Sequence, residues 1–206
     1  MPLSAREERL LVSSIFDKLL VRGKHVCPSW LCFTFDNPVR KIFHDPVKIV
    51  APYITPGDTI VDIGPGKGYF TLPMCQLVGG AQGGGGRVIA VDIQEQMLNS
   101  LQRRAVAAGL AANLTTHLSM PNDFGLAVQA DFVLAFWMVH EVPEPGQFFT
   151  HVKEIMKREA TFLIAEPLFH VTKGRFDKTL RTAHEAGFKI AARPEITFSH
   201  AALLAL

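Results

Sequence analysis

The chain has 206 residues, of which 48% are hydrophobic and 19% are charged, and its formal net charge is +2. This size and composition predict a globular protein with one well-buried domain and exclude an intrinsically disordered chain. The near-neutral charge disfavours a protein whose main task is to neutralise nucleic-acid phosphates. No apolar run approaches the roughly 20 residues that span a bilayer, so no membrane partner is expected. The N-terminal stretch MPLSAREERL lacks the apolar core of a secretion signal, so we expect a cytoplasmic protein.

Residues 1–46 are predicted to form a helical segment followed by a lid. The first twenty residues have a capping-box pattern and apolar side chains at helical spacing. The stretch HVCPSWLCFTF is rich in aromatic residues, and we interpret it as a lid over an acceptor pocket, with Trp30 as a substrate-binding candidate. Two short helices are predicted where a capping residue precedes proline, at Pro38 and Pro46.

The three cysteines do not form a recognisable metal site. A structural zinc site takes four ligands in paired spacing, and His25, Cys27 and Cys32 lack a second pair. Cys75 lies among apolar residues of a predicted helix and is expected to be buried. No metal is therefore expected, and the role of Cys27 and Cys32 is left open.

Strands and helices alternate from residue 47 to residue 206. The predicted strands are Thr59–Ile63, Val88–Val91, Thr115–Leu118, Asp131–Phe136 and Thr161–Ala165, with one or two more in the last twenty residues. The predicted helices are one ending near Val78, Glu95–Ala108, Gln147–Met156 and Arg175–Ala186. This alternation predicts an α/β fold with a parallel sheet and helices on both faces. Ligands of such sheets bind beyond the carboxyl ends of the strands, so functional residues are expected directly after each strand.

The stretch VDIGPGKGYF, residues 61–70, predicts a nucleotide-type site at the end of the first strand. A dinucleotide pattern would need its third glycine where Tyr69 stands, and Asp62 would repel a diphosphate on the following helix N-terminus. A ligand with an ammonium group and a positive centre fits better, and S-adenosylmethionine has both. The candidate cofactor residues of this stretch are Asp62, Gly64, Pro65, Gly66, Gly68 and Tyr69.

The ends of the second and third strands supply further cofactor candidates. Asp92 can accept hydrogen bonds from both ribose hydroxyls, and Ile93 can flank the adenine ring. Asn122 and Asp123, in the stretch SMPNDFG, can contact the adenine amino group, although such residues also begin turns. Both interpretations stay open for this stretch.

The motifs VDIGPGKGYF and VIAVDI resemble the first two motifs of the class I S-adenosylmethionine-dependent methyltransferases. The resemblance covers residues 47–206 and is greatest to the ubiquinone- and menaquinone-biosynthesis group. It implies a Rossmann-like, doubly wound, three-layer fold whose seven strands are mostly parallel, with the last antiparallel. It also implies methyl transfer to a small molecule, with S-adenosylhomocysteine as product. The segment MKREAT replaces the Lys-Pro-Gly-Gly turn that many relatives carry before the fifth strand.

The stretch FWMVHEVPEP follows the fourth strand, beside the expected position of the methyl group. Phe136 is expected to be core with its edge lining the cofactor pocket, and Trp137 is either core or a wall of the acceptor site. His140 is the candidate proton acceptor, because imidazole takes up protons near neutral pH. Glu141 can orient it or replace it. The alternative is a His-Glu pair that caps the next helix.

The sequence thus predicts a methyltransferase that moves a methyl group to a small-molecule O, N or C nucleophile by in-line displacement. One rival is a non-catalytic S-adenosylmethionine-binding partner subunit. The other is an NAD-dependent oxidoreductase, which Asp62 and Tyr69 disfavour. The acceptor and the oligomeric state, including a homo-oligomer, are left open.

Overall fold

The computed structural model of the protein describes residues 44–79, 85–120 and 123–206. The predicted N-terminal helix, the lid with Trp30, the helix at Pro38, and Asn122 lie outside these residues. The second predicted short helix is confirmed as α1 (Pro46–Val50), where the Asp45 side chain accepts hydrogen bonds from the backbone amides of Val47 and Lys48. Within the described ranges, no helix has the length and apolarity needed to cross a membrane.

Strands and helices alternate as the sequence predicts. The strands are β1 (Thr59–Ile63), β2 (Arg87–Asp92), β3 (Leu114–Leu118), β4 (Ala130–Phe136), β5 (Met156–Pro167), β6 (Lys189–Ala192) and β7 (Ser199–Ala205). The longer helices are α2 (Thr71–Gly79), α3 (Glu95–Ala107), α4 (Pro145–Glu154) and α5 (Lys173–Glu185). Short 3-10 turns cover Ala51–Tyr53, Ala111–Asn113 and Val139–Glu141.

The main difference from the predicted boundaries lies between α4 and β5. The helix ends at Glu154, and Met156 already pairs with Ala130 of β4. The register then shifts before Thr161 pairs with Phe132, so the chain makes an irregularity within the ladder. The segment MKREAT is therefore the first part of a strand that is longer than predicted.

The sheet has seven strands in the order β3-β2-β1-β4-β5-β7-β6. The first five strands run parallel to one another, and β7 runs antiparallel to both β5 and β6. This confirms the Rossmann-like fold with an antiparallel last strand. The chain winds outward from β1 to β3 and then returns to place β4 on the other side of β1. Such a reversal opens a crevice at the carboxyl ends of β1 and β4.

Each face of the sheet is covered by a buried apolar layer. On one face the core includes Met74 and Val78 of α2 and Leu101 of α3, and on the other Phe149 of α4 and Leu180 of α5. The two layers confirm the α/β/α arrangement. The buried position predicted for Cys75 is also confirmed, since that side chain is fully buried in α2.

The connection between β3 and β4, residues 119–129, contains no helix among its described residues. Phe124, Leu126 and Val128 are partly buried and pack against the core instead. Asp123 makes a turn here, because its side chain accepts a hydrogen bond from the Gly125 amide at 2.8 Å. The turn interpretation of this stretch therefore holds for Asp123.

The glycine-rich loop before β2 ends in a tightly packed residue. A Cβ atom added to Gly86 would lie 2.6 Å from the Val78 carbonyl oxygen and 2.9 Å from that of Asp58. The Gly86 carbonyl accepts a hydrogen bond from the Asn113 side-chain amide at 2.7 Å. The neighbouring Gly85 has no atom within 4 Å of such a Cβ. Only glycine fits at position 86 without a backbone shift.

Candidate active site

The turn after β1 needs glycine for both its conformation and its packing. Gly64, Gly66 and Gly68 have φ values of 68°, 55° and 88°, in the left-handed region that favours glycine. A Cβ on Gly64 would lie 3.0 Å from Cγ of Met138, and one on Gly68 would lie 2.2 Å from Cδ1 of Leu101. The Gly64 amide donates to the Val91 carbonyl at 2.9 Å, which ties the turn to β2. The glycines therefore hold the turn close to β2, β4 and α3.

Asp62 lies beneath this turn and is only 2% exposed. Its Oδ2 atom accepts a hydrogen bond from the Thr71 hydroxyl at 2.6 Å. Burial raises the pKa of Asp62 to about 7; the Thr71 hydrogen bond opposes this rise and the Asp92 charge adds to it. Burial thus disfavours the charged form of this carboxyl.

Asp92 ends β2 and is 9% exposed. Its Oδ1 atom accepts the Gln94 amide at 2.9 Å, which begins the turn into α3. Burial raises the pKa of Asp92 to about 6, although hydrogen bonds from the Gln94 and Ile93 amides lower it. The next side chain, Ile93, is 40% exposed. A carboxylate that can accept hydrogen bonds and an exposed apolar side chain thus lie side by side at the end of β2.

A cavity of about 630 Å³ opens at the carboxyl edge of the sheet. Its volume is in the range of about 300–1,000 Å³ typical of small-molecule sites. Its lining residues come from the ends of β1, β2 and β3, the β3–β4 connection and the segment after β4. They are Ile63, Gly64, Val91, Asp92, Ile93, Gln94, Leu118, Ser119, Met120, Phe124, Met138, Glu141, Val142, Pro143 and Phe148.

The cavity brings together Gly64, Asp92 and Ile93, three of the residues predicted to hold the cofactor, and also Glu141. Asp62 lies behind the turn rather than in the lining. The other predicted residues that the structure describes are likewise absent from the lining of this cavity: Pro65, Gly66, Gly68, Tyr69, Phe136, Trp137 and His140.

Phe136 and Trp137 end β4 in an aromatic cluster. Phe136 is 8% exposed, and its ring centroid lies 4.3 Å from that of Phe70, which is also buried. Trp137 has a φ of 61°, an uncommon value for a bulky residue that marks a strained backbone. Its indole nitrogen donates to the Ser199 hydroxyl at 2.9 Å. The strained backbone and this bond fix the indole at the rim of β4.

His44, which the sequence analysis did not single out, packs against this aromatic cluster. It is 2% exposed, and its ring lies edge-on to the rings of Phe136 and Trp137, at centroid distances of 5.5 and 5.1 Å. The Tyr69 hydroxyl donates to the His44 carbonyl at 2.5 Å. Tyr69 therefore joins the glycine turn to the segment that enters α1. The sequence signal was weak, since His44 simply precedes the helix cap Asp45.

His140 lies in the 3-10 turn after β4 and contacts two carboxylates. Its Nδ1 atom lies 2.5 Å from Oε2 of Glu166, and its Nε2 atom lies 3.9 Å from Oε1 of Glu141. Glu166 is 1% exposed at the end of β5, and its Oε1 atom accepts the Val139 amide at 2.8 Å. The sequence indicated Glu141 as a residue that either orients His140 or replaces it, whereas the hydrogen bond of His140 is to Glu166. The position of Glu166 at the end of a strand was the sequence signal that could have identified it as this partner.

A family model described as a methyltransferase domain matches residues 54–192. The chain belongs to this family and is an enzyme, a methyltransferase with the class I fold. The resemblance to class I S-adenosylmethionine-dependent methyltransferases is thereby confirmed, whereas the nearer resemblance to the ubiquinone- and menaquinone-biosynthesis group stays a prediction. No curated protein matches the sequence in a direct search.

Solved structures share the fold at low sequence identity. A SAM-dependent methyltransferase from Aquifex aeolicus is 23% identical, with a TM-score of 0.75 over 87% of this chain and 98% of its own. The glycopeptide N-methyltransferase MtfA complexed with sinefungin is 13% identical, with a TM-score of 0.62 over 79% and 85%. The ribosomal protein L11 methylase from Lactobacillus delbrueckii subsp. bulgaricus is 12% identical, with a TM-score of 0.63 over 80% and 78%. These likenesses concern the fold.

Proposed function

We propose that this methyltransferase binds S-adenosylmethionine in the 630 Å³ cavity and transfers its methyl group to a small-molecule O, N or C nucleophile by in-line displacement. The observation that supports this proposal most directly is that one cavity is lined by Gly64 of the glycine turn, by Asp92 at the end of β2, and by the exposed Ile93. The family match over residues 54–192 supports the choice of cofactor. The matched residues also lie within the cofactor-binding domain that we assign to residues 47–206, with residues 1–46 as a separate helical segment and lid.

The chemistry of the residues fits the nucleoside part of this cofactor. The Asp92 carboxylate can accept hydrogen bonds from both ribose hydroxyls, and Ile93 can pack against the adenine ring. Asn122 remains a candidate for the adenine amino group. S-adenosylmethionine supplies an electrophilic methyl group bonded to a positively charged sulfur. The sinefungin bound to MtfA is an analogue of this cofactor, which adds support from the same fold.

The glycine turn suits the amino-acid end of the cofactor. The absence of side chains at Gly64, Gly66 and Gly68 allows the backbone to approach the ligand closely, and Pro65 and Tyr69 belong to the same turn. Asp62 lies under the turn, so we expect its carboxylate to balance the ammonium group through a bridging water rather than directly. A cation above the turn favours the ionised form of Asp62, whereas a diphosphate opposes it. This contrast disfavours the oxidoreductase alternative.

The acceptor side is assigned to the segment after β4. His140 takes the proton of the acceptor, Glu141 lies 3.9 Å from its Nε2 atom, and Trp137 walls the site, with Phe136 behind it. Trp30 stays a proposed contact from the lid. In-line displacement needs the nucleophile held within about 3–3.5 Å of the carbon, so positioning supplies much of the rate.

Isothermal titration calorimetry tests the cofactor assignment. The full-length protein is titrated with S-adenosylmethionine, S-adenosylhomocysteine and NADH. We expect one site for the first two ligands and no heat of binding for NADH. Binding of NADH alone would overturn the proposal in favour of an oxidoreductase.

Turnover then separates an enzyme from a non-catalytic partner subunit. Release of S-adenosylhomocysteine is followed with a panel of hydroxyl, amine and thiol acceptors and with a carbon nucleophile. The proposal expects release that depends on one acceptor class. Tight cofactor binding with no release above the acceptor-free rate would contradict small-molecule methyl transfer.

A further inference from the structure

The hydrogen bonds of Glu166 specify which nitrogen of His140 carries a proton. An ionised carboxylate can only accept hydrogen bonds, so the Nδ1 atom that lies 2.5 Å from Glu166 Oε2 must be the donor. In the neutral ring, Nε2 is then the unprotonated nitrogen. Among the residues that the structure describes, none makes a hydrogen bond to Nε2, and the nearest carboxylate oxygen is that of Glu141, at 3.9 Å. Nε2 is thus available as a base.

The whole of His140 is held in place, not only its ring. Glu166 also accepts the Val139 amide, at 2.8 Å, and a guanidinium nitrogen of Arg175 donates to the His140 carbonyl at 3.0 Å. Met138 and Glu141, on either side along the chain, line the 630 Å³ cavity. His140 is thus held by groups from β5 and α5, in a segment whose neighbouring residues line the cavity although His140 itself does not.

We propose that Glu166 is a positioning residue that keeps Nε2 of His140 basic, and that the methyl acceptor is a phenol-type hydroxyl compound. This inference rests on the proposed function and names its substrate class. An aromatic hydroxyl has a pKa near 10, so almost all of it is protonated at neutral pH and it needs a base. A neutral amine already presents a lone pair and needs no base before it attacks. The pair of His140 with the buried Glu166 carboxylate can supply such a base.

The rings at the carboxyl ends of β4 and β5 favour an aromatic acceptor. Trp137 contacts Phe169 at a ring-centroid distance of 5.3 Å, Phe169 contacts His170 at 5.0 Å, and His170 stacks on His140 at 6.1 Å. Phe169 is 58% exposed, so a large apolar face is presented at this rim. An aromatic ring can pack on such faces in stacked or edge-on geometry.

The proton and electron balance follows from this arrangement. The acceptor O–H proton passes to Nε2 of His140, and the oxygen forms its bond to the methyl carbon. The carbon–sulfur bond breaks, and its electron pair leaves the sulfur neutral in S-adenosylhomocysteine. The imidazolium is stabilised by Glu166 and Glu141 until it returns its proton to water.

The first test reads the tautomer directly and needs neither cofactor nor acceptor. Long-range ¹H–¹⁵N spectra of the ¹⁵N-labelled protein report which His140 nitrogen is protonated. We expect the Nδ1–H form in the wild type and the Nε2–H form in Glu166→Gln, whose amide can accept from Val139 while donating to Nδ1. An Nε2–H form in the wild type would overturn the proposal, and this measurement decides even if the variant fails to fold.

Glu154→Gln is the matched control. Glu154 Oε2 lies 3.3 Å from His151 Nδ1 on α4, but this pair is accessible to water, with 64% of the Glu154 side chain and 28% of the His151 side chain exposed. Water can replace that contact, so the His140 spectrum and turnover should stay as in the wild type. A response to Glu154→Gln equal to that of Glu166→Gln would overturn the specific role of the buried pair.

The second test measures turnover with catechol and p-cresol, whose hydroxyls are protonated at neutral pH, and with an aromatic amine and an aromatic thiol for comparison. We expect turnover of a phenol, a fall in kcat of about 10²- to 10⁴-fold in Glu166→Gln, and little change in the KM for S-adenosylmethionine. Turnover of the amine or thiol but of neither phenol would overturn the substrate class. If the wild-type protein does not bind S-adenosylmethionine, the proposed function is wrong. The tautomer measurement would still decide whether Glu166 positions His140.

Discussion

Replacement of Asp92 by alanine is expected to weaken S-adenosylhomocysteine binding by about 10- to 150-fold. The carboxylate is 9% exposed, and its Oδ1 atom already accepts the Gln94 amide. Two ribose hydroxyls would add hydrogen bonds to a charged group, each contributing about 1.5–3 kcal/mol. At the assay pH of about 7.5 a carboxyl of pKa about 6 is already ionised, so proton release costs little; water that fills the vacated position in the variant and bonds the ribose hydroxyls offsets part of the loss. A net loss of about 1.4–3 kcal/mol corresponds to the stated range.

Calorimetric titration at about pH 7.5 measures this effect. Asp92→Asn keeps an acceptor for the Gln94 amide and loses the charge, so it should fall between the wild type and Asp92→Ala. Glu159→Ala is the control, because Glu159 is an exposed acid at the opposite edge of the sheet. The affinity of this variant for S-adenosylhomocysteine should equal that of the wild type. Unchanged affinity in Asp92→Ala would refute the reasoning and show that the ribose is held elsewhere.

Three further predictions concern pH, packing and the aromatic rim. The pKa of Asp62 is raised to about 7 in the folded protein, against 3.8 in the unfolded chain. As the pH rises, the unfolded chain therefore releases this proton before the folded protein does. The unfolding free energy of the unliganded protein should therefore fall as pH rises from about 4 to 7, and Asp62→Asn should flatten the fall in urea titrations. Gly86→Ala should lower the unfolding free energy by about 1–3 kcal/mol through overpacking, whereas Gly85→Ala should change it by less than about 0.5 kcal/mol. Trp137→Phe and Ser199→Ala each remove the same hydrogen bond, so a double-mutant cycle of urea unfolding should give a coupling of about 0.5–1.5 kcal/mol.

Each of these predictions has an outcome that contradicts it. An unchanged pH slope in Asp62→Asn would mean that this carboxyl ionises in the folded state as it does in the unfolded chain. Equal stabilities of the two glycine variants would mean that the loop before β2 adjusts at no cost. Additive effects of the Trp137 and Ser199 variants would show that the indole nitrogen is not held by the hydroxyl.

The sequence predicted the parts of the fold that local patterns determine. The apolar run of β1 and the cap in front of Pro46, which Asp45 forms, are local, and each lies where it was predicted. The end of α4 was placed two residues late because Met156 is apolar and fits a helical pattern. Its pairing with Ala130 across the sheet decides instead for a strand.

The candidate site was predictable where a residue lies at a strand end. Asp92 and Ile93 follow β2 directly, and both line the cavity. The pairing of His140 with Glu166 was not predictable, because the two residues are 26 positions apart and meet only through the β4–β5 register. The buried position of Asp62 likewise follows from the packing of Thr71 in α2, which no local pattern reveals.

A crystal structure of the protein with S-adenosylhomocysteine tests the central claim most directly. We predict that the ribose hydroxyls lie within hydrogen-bond distance of the Asp92 carboxylate, with the adenine beside Ile93 and the amino-acid end at the turn that begins at Gly64. A nucleoside bound away from Asp92, or a ligand amino group remote from that turn, would contradict the account.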